Sequence, residues 1–580
     1  MAPDADKIFD LSFFLGNNTA IKSPEQTALL MPNENPASHK NGPIYGWYVL
    51  AAAIISAVVT LLVYIPALAN GFVSFDDWDY ITQNPFIRRL DSAFFQSVFT
   101  QPHNDNWHPL TMLSYGIDYA LWGLDPFWYH LENVIFHSAN TLLAGLLGAR
   151  LVKIYLENSG RRAYQINLFF AALVTALLFG LHPIHVESVA WISERKDVLF
   201  TFFFLLSLLS YLSYARAREA KVIYYLASLF FFGLSIMSKP MAVTLPLILI
   251  IIDYCPLERR VAPIRSLIEK TPFLALSALS GLLTIWAQSA GGAITSLETY
   301  PFSIRLLVAL RGYAFYLYKL IVPTGLVPLY PYPENASLFG FEYLGPIALI
   351  IIITAVCIAT FRRYRFLSAA WAFYLITLLP VIGIVQVGSQ SAADRYMYIS
   401  SVAPFLMLGI LAGYIASRPP FKKRAYIVGG VTVILATVLS VMTVRQIRVW
   451  KDPVTMWSHV IKVYPDSHLA RYNLGGVYKT YGEFDKAIIY FTEALAIKPG
   501  FSEALNNRGA AYIMTGDNQR AVADITKAID AEPRNAEAHY NRAIALENLG
   551  LQDDAIASYK EAAALGLIQA REKLSEMGIR

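Results

Sequence analysis

Long apolar runs recur over most of the chain, and they constrain its fold more than any other feature. A helix of about 20 apolar residues can cross a bilayer because its backbone groups bond internally and ask nothing of the absent water. Runs near that length lie around 46–66, 131–151, 164–183, 197–215, 222–238 and 271–289, and again around 343–361, 366–385, 396–416 and 425–444. A shorter run, 240–254, follows a tight break at Lys239 and Pro240 and reads as the return arm of a hairpin, so about eleven spans are expected. A composition of 56% apolar and only 15% charged residues agrees with a polytopic membrane protein.

The net charge of +5 is no argument for a nucleic-acid partner, because Lys and Arg anchor cytoplasmic loops whatever a membrane protein does. Cys255 and Cys357 sit at or inside apolar segments, which speaks against a disulfide framework. Residues 1–45 are polar without periodicity and read as a flexible cytoplasmic tail. No small-residue cleavage pattern follows the first run, so it is expected to remain as an anchor.

Basic loops set the direction of insertion. With the N-terminus in the cytoplasm, Arg150, Lys153, Arg161 and Arg162 fall inside, as do Arg216, Arg218 and Lys221, and then Arg259, Arg260, Arg265 and Lys270. The basic loops Arg362, Arg363, Arg365 and Arg418, Lys422, Lys423, Arg424 also fall inside, provided that 303–322 does not cross. Arg305, Arg311 and Lys319 would be costly at bilayer depth, so that segment is expected to lie amphipathically at the outer face. The outer side then receives 67–130, 184–196, 290–342, 386–395 and everything from 450 to 580.

The last quarter repeats at a period of 34 residues. Leu474, Gly475, Tyr478, Gly482, Ala487, Phe491, Ala494 and Pro499 are followed one period later by Gly509, Tyr512, Gly516, Ala521, Ile525, Ala528 and Pro533. A third unit keeps Ala543, Gly550, Ala555, Tyr559 and Ala562; Trp457 and Pro465 suggest a preceding half-repeat, and the polar tail reads as a capping helix. Small residues that let helices approach, alternating with large ones that fill gaps, make this the tetratricopeptide (TPR) pattern, a solenoid whose concave face serves as a surface for peptides or proteins. A merely stabilising or dimerising appendage is the alternative.

Polar residues gather in the outer segments. Asp76 and Asp77, just after the first span and flanked by Phe75 and Trp78, sit where partial desolvation raises carboxylate basicity, as a general base needs. Helix capping by Asp76 is the plainer account. His182, His185 and Glu187 offer metal-ligand chemistry, but Pro183 breaks their register, and structural or substrate-orienting hydrogen bonds fit better. Glu194, Arg195, Lys196 and Asp197 read equally as a solvated turn. His108, His130 and His137 lie among interfacial aromatics, with His137 expected to be a satisfied core residue. Lys239 and Arg395 are the cations best placed for an anionic leaving group.

The segments FDDWDYITQNP, HPLTMLSYGIDY, YHLENVIFH, HPIHVESVAWISERKDVL, SKP and DRYMYISS, in that order and followed by the repeats, resemble the transmembrane and TPR-containing (TMTC) proteins, members of the GT-C superfamily of glycosyltransferases. The resemblance covers nearly everything from residue 46 onward. It implies an all-α chain, with a GT-C-like membrane bundle over 46–445 and a TPR solenoid over 450–580. It also implies transfer of a sugar from a polyprenyl-phosphate donor to a hydroxyl; a TPR groove that raises the local concentration of a tethered polypeptide favours an extracytoplasmic protein as acceptor, as in O-mannosylation. The acid of the family's first outer loop carries onto Asp77 or Asp76, and its second acidic segment matches Glu187, Arg195 and Asp197 in part. Pro240, where an acid is usual, and His108-Pro-Leu, where Arg is commoner, depart from the animal members.

On this reading one aspartate takes the acceptor proton, the configuration inverts, and the phosphate leaves toward Arg395, with Lys239 or Arg305 assisting. His108, His185, Glu187 and Arg195 are expected to contact substrate. No cofactor is certain from the residues, and a mechanism with a divalent metal bridging the aspartates and the phosphate ranks second. The expected location is a bacterial inner membrane. A transporter or a non-catalytic TPR assembly platform is the alternative.

Overall fold

The computed structural model describes residues 46–161, 163–259, 262–290, 295, 300–333, 340–386, 388 and 390–579. The expected tail, 1–45, and the loop residues Arg162 and Arg260 lie outside the described residues. The chain divides into two compact units, one holding most of residues up to Arg448 and the other Val449–Arg580 with the short segments Phe72–Phe75 and Val327–Leu329.

The first unit is a helical bundle. Its main helices are α1 (Trp47–Tyr64), α2 (Pro109–Trp122), α3 (Pro126–Asn158), α4 (Gln165–Leu181), α5 (Arg195–Arg216), α6 (Lys221–Ser238), α7 (Val402–Ala416) and α8 (Phe421–Ile447). Each stretch read as a span carries helix. Among the described residues seven helices are individually long and apolar enough to cross a bilayer, and two bent pairs add to them. Pro240–Tyr254 and Arg365–Leu378 are shorter apolar helices. The second of these stops at Leu378, short of the expected 385, as Pro380 requires.

Phe302–Ile321 is helical and stands outside that set. Its buried cations are met by carbonyls: Arg305 donates to Tyr300 O at 2.8 Å and Thr295 O at 2.7 Å, and Lys319 to Thr324 O at 2.6 Å.

Lipid tails are as apolar as leucine, so burial alone does not hold such helices together; close backbone approach and interhelical hydrogen bonds do. On α7, a Cβ added at Gly413 would meet the Asn167 carbonyl oxygen of α4 at 2.5 Å. That proximity lets Asn167 Nδ2 donate to Gly413 O at 3.0 Å. Deeper in, His137 of α3 bonds Tyr398 Oη at 2.7 Å and Gly180 O at 3.0 Å, so it is the satisfied core histidine expected of it. The outward stripe of α8, Ile427, Val431, Ile434 and Val438, is at least half exposed, as a lipid-facing surface should be.

A small two-stranded ribbon, β1 (Tyr330–Pro331) with β2 (Gln390–Ala392), ties together two loops of this unit. A separate ionic cluster locks the helices elsewhere: Lys270 Nζ lies 2.5 Å from Asp253 Oδ2, and Arg259 Nη1 2.7 Å from Glu269 Oε1.

The second unit is a run of antiparallel helices: α9 (Pro453–Val463), α10 (His468–Thr480), α11 (Phe484–Ile497), α12 (Ser502–Thr515), α13 (Asn518–Ala531), α14 (Ala536–Asn548), α15 (Gln552–Ala564) and α16 (Ile568–Glu576). Gly482, Gly516 and Gly550 take φ of +76°, +85° and +77° in the turns within successive pairs, a conformation that glycine adopts without steric cost. Leu495, Phe501, Ala504, Leu505 and Ala528 form one shared core between neighbouring pairs. The helix α16 closes the array, and Ala570 and Leu574 on it are buried.

Candidate functional site

The site is assembled by a broken helix. α4 ends at Leu181 because Pro183 cannot continue it, and the chain turns through short helical pieces over Pro183–His185, Val186–Ala190 and Ile192–Glu194 before α5 begins at Arg195. This turn packs Glu187, Glu194, Lys196 and Asp197 together at the start of α5. Two distant segments complete it: Lys239 follows α6, and Arg395 lies in the turn Asp394–Tyr396 that leads toward α7.

Glu194 is the centre. Its Oε1 lies 3.2 Å from Lys196 Nζ and 3.3 Å from Arg395 Nε, and its Oε2 lies 3.1 Å from Lys239 Nζ. Each cation has a second acid: Lys239 contacts Asp197 Oδ1 at 2.6 Å, Arg395 pairs with Glu187, and Lys196 stands 3.6 Å from Asp76 Oδ2. The three cationic side chains are 11–12% exposed, whereas those of Glu187, Glu194 and Asp197 are at most 2% exposed. The acids are therefore buried more deeply than the cations they fix. Trp191 is sandwiched in the same array, with its ring 5.5 Å from the Arg395 guanidinium and 6.0 Å from Lys196 Nζ.

The two adjacent aspartates have different surroundings. Asp77 is fully buried; its Oδ1 accepts from Ser193 N at 2.9 Å and from the Ser193 hydroxyl, so it pins the turn that carries Glu194. Asp76 keeps 28% of its side chain exposed. Burial pushes its pKa above the usual carboxylate value; Lys196 pulls it down, Glu194 pushes it further up and Arg395 pulls it down. A surface-reaching carboxylate of raised basicity suits proton abstraction, and Asp77 does not reach the surface.

Beside Asp76, Tyr80 is buried with its ring 5.2 Å from Lys196 Nζ and 5.0 Å from the His108 ring. Burial, with Lys196 adding to it, holds the His108 pKa well below that of free imidazole. His108 is thus a neutral ring, and its buried Nε2 has no hydrogen-bond partner among the described residues.

Several sequence expectations change. Arg195 is wholly buried and faces away from this surface: it binds Asn133 Oδ1 at 3.0 Å, Tyr129 O at 3.0 Å, Asp118 Oδ2 at 2.5 Å and Glu132 Oε2 at 2.6 Å. These bonds hold α5 to α2 and α3 and turn the guanidinium into the bundle. His185 is saturated, with Nδ1 2.7 Å from Phe179 O and Nε2 2.9 Å from Ser401 Oγ. Arg305 is held by the carbonyls described above.

Glu187 is engaged by Arg395, whose backbone N also donates to it at 3.1 Å, so it positions that arginine instead of reaching outward. The sequence 194–197 is not a solvated turn, because Glu194, Arg195 and Asp197 are all buried. Lys196 was missed as a site residue; it stands beside Arg195 between two acids in Glu-Arg-Lys-Asp, and nothing in that pattern sets it apart from its neighbour.

The residues do not fit a metal bridged by the two aspartates, since one is bonded to Ser193 and the other faces Lys196. His182 Nε2 is turned to Leu320 O at 3.2 Å, and no three His, Cys, Asp or Glu side chains among the described residues group as metal ligands.

This fold and site define a multispanning membrane protein with a TPR solenoid. Tetratricopeptide repeat models match residues 469–501 and 506–566. The chain is 25% identical over 473 residues to protein O-mannosyl-transferase F38B6.6 of Caenorhabditis elegans, covering 78% of this chain and 63% of that protein. It is 25% identical over 496 residues to protein O-mannosyl-transferase TMTC4 of Homo sapiens, covering 76% and 65%.

The chain spans less than two thirds of the length of these relatives. Among solved structures, ArnT from Cupriavidus metallidurans bound to undecaprenyl phosphate aligns over 83% of this chain and 80% of its own, with 16% identity and a TM-score of 0.32, a likeness too loose to argue from.

Proposed function

We propose that this chain is a GT-C type glycosyltransferase that moves a sugar, mannose by analogy with its relatives, from a polyprenyl-phosphate carrier to a hydroxyl of a protein. The observation that carries this reading is the convergence of Lys196, Lys239 and Arg395 on Glu194 beside the basic, surface-reaching Asp76. In the donor the phosphodiester bears one negative charge; when the bond to the anomeric carbon breaks, the phosphate takes the electron pair and bears two. Preorganised cations at that position stabilise the charge that develops in the transition state.

The acceptor oxygen forms its bond to the anomeric carbon from the opposite face, so configuration inverts, and its proton passes to Asp76. Asp77 keeps the turn in register through Ser193, and Glu187 and Asp197 aim Arg395 and Lys239. Neutral His108, beside Tyr80, suits a hydrogen bond to a sugar hydroxyl. The names of the relatives support a protein acceptor, and the TPR unit, tethered to the catalytic unit, would raise its local concentration.

The distribution of basic loops supports an orientation with the N-terminus cytoplasmic and both Asp76 and the TPR unit outside. Transfer of labelled mannose from polyprenyl-phosphate mannose to protein tests the reading. Lys196→Met should cut transfer by at least about tenfold, because a charge-assisted contact to phosphate is worth 1.5–3 kcal/mol or so. Transfer that is unchanged in both Lys196→Met and Asp76→Asn would refute it and favour a non-catalytic platform.

A further inference from the structure

The outward stripe of α8 does not end in apolar residues. Ile427, Val431, Ile434, Val438 and Val441 follow one another at alternating intervals of four and three, and the same alternation leads on to Arg445 and to Arg448, the first residue after the helix. All seven are exposed, so both arginines continue the lipid-facing surface. The apolar run 425–444 is about 30 Å long at 1.5 Å per residue, which is the thickness of the hydrocarbon core. Arg445 therefore lies at the boundary of that core, and Arg448 about 4.5 Å beyond it, among the headgroups.

Neither guanidinium has an acidic partner among the described residues. Together with Ser440, Val441 and Val444 they line an open groove of about 300 Å³ that no acid shares. Its floor is valine, and its far end is two planar forks, each with five donors suited to phosphate oxygens. The other end of α8 follows a basic loop as well, Arg418, Lys422, Lys423 and Arg424, so the cytoplasmic bias of Lys and Arg accounts for only one end of this helix.

We propose that this groove binds an anionic glycerophospholipid, its phosphate held by Arg445 and Arg448 and an acyl chain lying along Val441, Val438 and Ile434. The charges select the headgroup. Two cations without an acid attract a net negative charge, whereas a zwitterionic headgroup would bring its own ammonium against the guanidiniums. The geometry selects a phospholipid over the sugar carrier. Thr443 and Ile447 are buried on the inward side of α8, where Thr443 Oγ1 donates to Leu181 O at 2.7 Å, directly before the turn that builds the candidate site. The arginines face away from that turn, into the lipid. The proposal is independent of the transferase reading, since it needs only that α8 crosses the bilayer.

The test uses the full chain in phosphatidylcholine vesicles, with Thr437→Cys carrying a fluorophore. Thr437 is exposed on the same surface, about 12 Å along the helix from Arg445, and the native Cys255 and Cys357 are buried. Phosphatidylglycerol or phosphatidylcholine brominated at mid-chain serves as the quencher. With both arginines present, phosphatidylglycerol is expected to reach the label with a relative binding constant at least about fivefold above that of phosphatidylcholine. Arg445→Gln combined with Arg448→Gln should bring the ratio to about one.

Equal quenching by the two lipids when both arginines are present overturns the proposal, whether or not the double variant folds, and leaves the arginines as anchors in the headgroup layer. A preference for phosphatidylglycerol that survives in the double variant also overturns it, because the selectivity then arises elsewhere. Unlabelled polyprenyl phosphate that relieves the quenching at a lower mole fraction than unlabelled phosphatidylglycerol overturns the choice of occupant and makes the groove a station for the sugar carrier; the reverse order supports the phospholipid. None of these readouts involves mannosyl transfer, so failure of this proposal and failure of the transferase reading are separate results.

Discussion

Exchanging each of the adjacent aspartates for asparagine should give two quite different enzymes. At Asp77, asparagine keeps an oxygen that can accept from Ser193 N and Oγ, so two charge-assisted bonds become two neutral ones. The difference is about 1 kcal/mol per bond, hence about 2 kcal/mol in all. If the whole of it displaced the Glu194 turn in the transition state, kcat/KM would fall about 30-fold, at 1.36 kcal/mol per tenfold. At Asp76 the proton acceptor itself is lost, and the fall should be about 10²- to 10⁴-fold.

Stability should move the other way. Burial raises the Asp76 pKa above its unfolded value, so the folded state binds the proton more tightly and ionisation costs stability as pH rises through that window. At neutral pH Asp76→Asn should therefore unfold at a temperature equal to or above that of the wild type, while Asp77→Asn unfolds below it. Mannosyl transfer measured beside thermal unfolding in the same detergent checks both. A larger loss of transfer in Asp77→Asn than in Asp76→Asn, with Asp76→Asn also destabilised, would refute the assignment of base and brace.

Other consequences can be measured with the same preparations. As a base of raised pKa, Asp76 should give kcat/KM an acid limb, activity falling with pH through a midpoint above the ordinary value of about 4; a limb at or below that value would contradict the burial argument. Arg195→Met leaves Asp118 and Glu132 without their cation and should cost about 3–5 kcal/mol, seen as early thermal unfolding and not as a selective rise in donor KM. Gly413→Val drives a side chain into the Asn167 backbone and should destabilise the bundle by about 1–3 kcal/mol, again by thermal unfolding.

The spans and repeats were legible because both are periodic: about 20 apolar residues for a crossing and 34 residues for a helix pair leave marks within short windows. Asp76, Lys239 and Arg395 were visible as charges at the ends of apolar runs. Which charge faces substrate was not visible, since that depends on the turn after Pro183. The turn buries Arg195 and brings forward its neighbour Lys196, and no one-dimensional pattern distinguishes two adjacent basic residues. Asp76 and Asp77 posed the same problem, and Ser193, which separates their roles, lies 116 residues away from Asp77.

Glu187 and Arg395 are 208 residues apart, which has a bearing on biogenesis. At about 5–20 residues per second, a ribosome needs roughly ten to forty seconds to travel from one codon to the other. Throughout that interval the nascent chain carries a carboxylate in an apolar hairpin whose counter-ion has yet to be made, so the chemistry of the site is completed only when the late helices are threaded in beside the early ones.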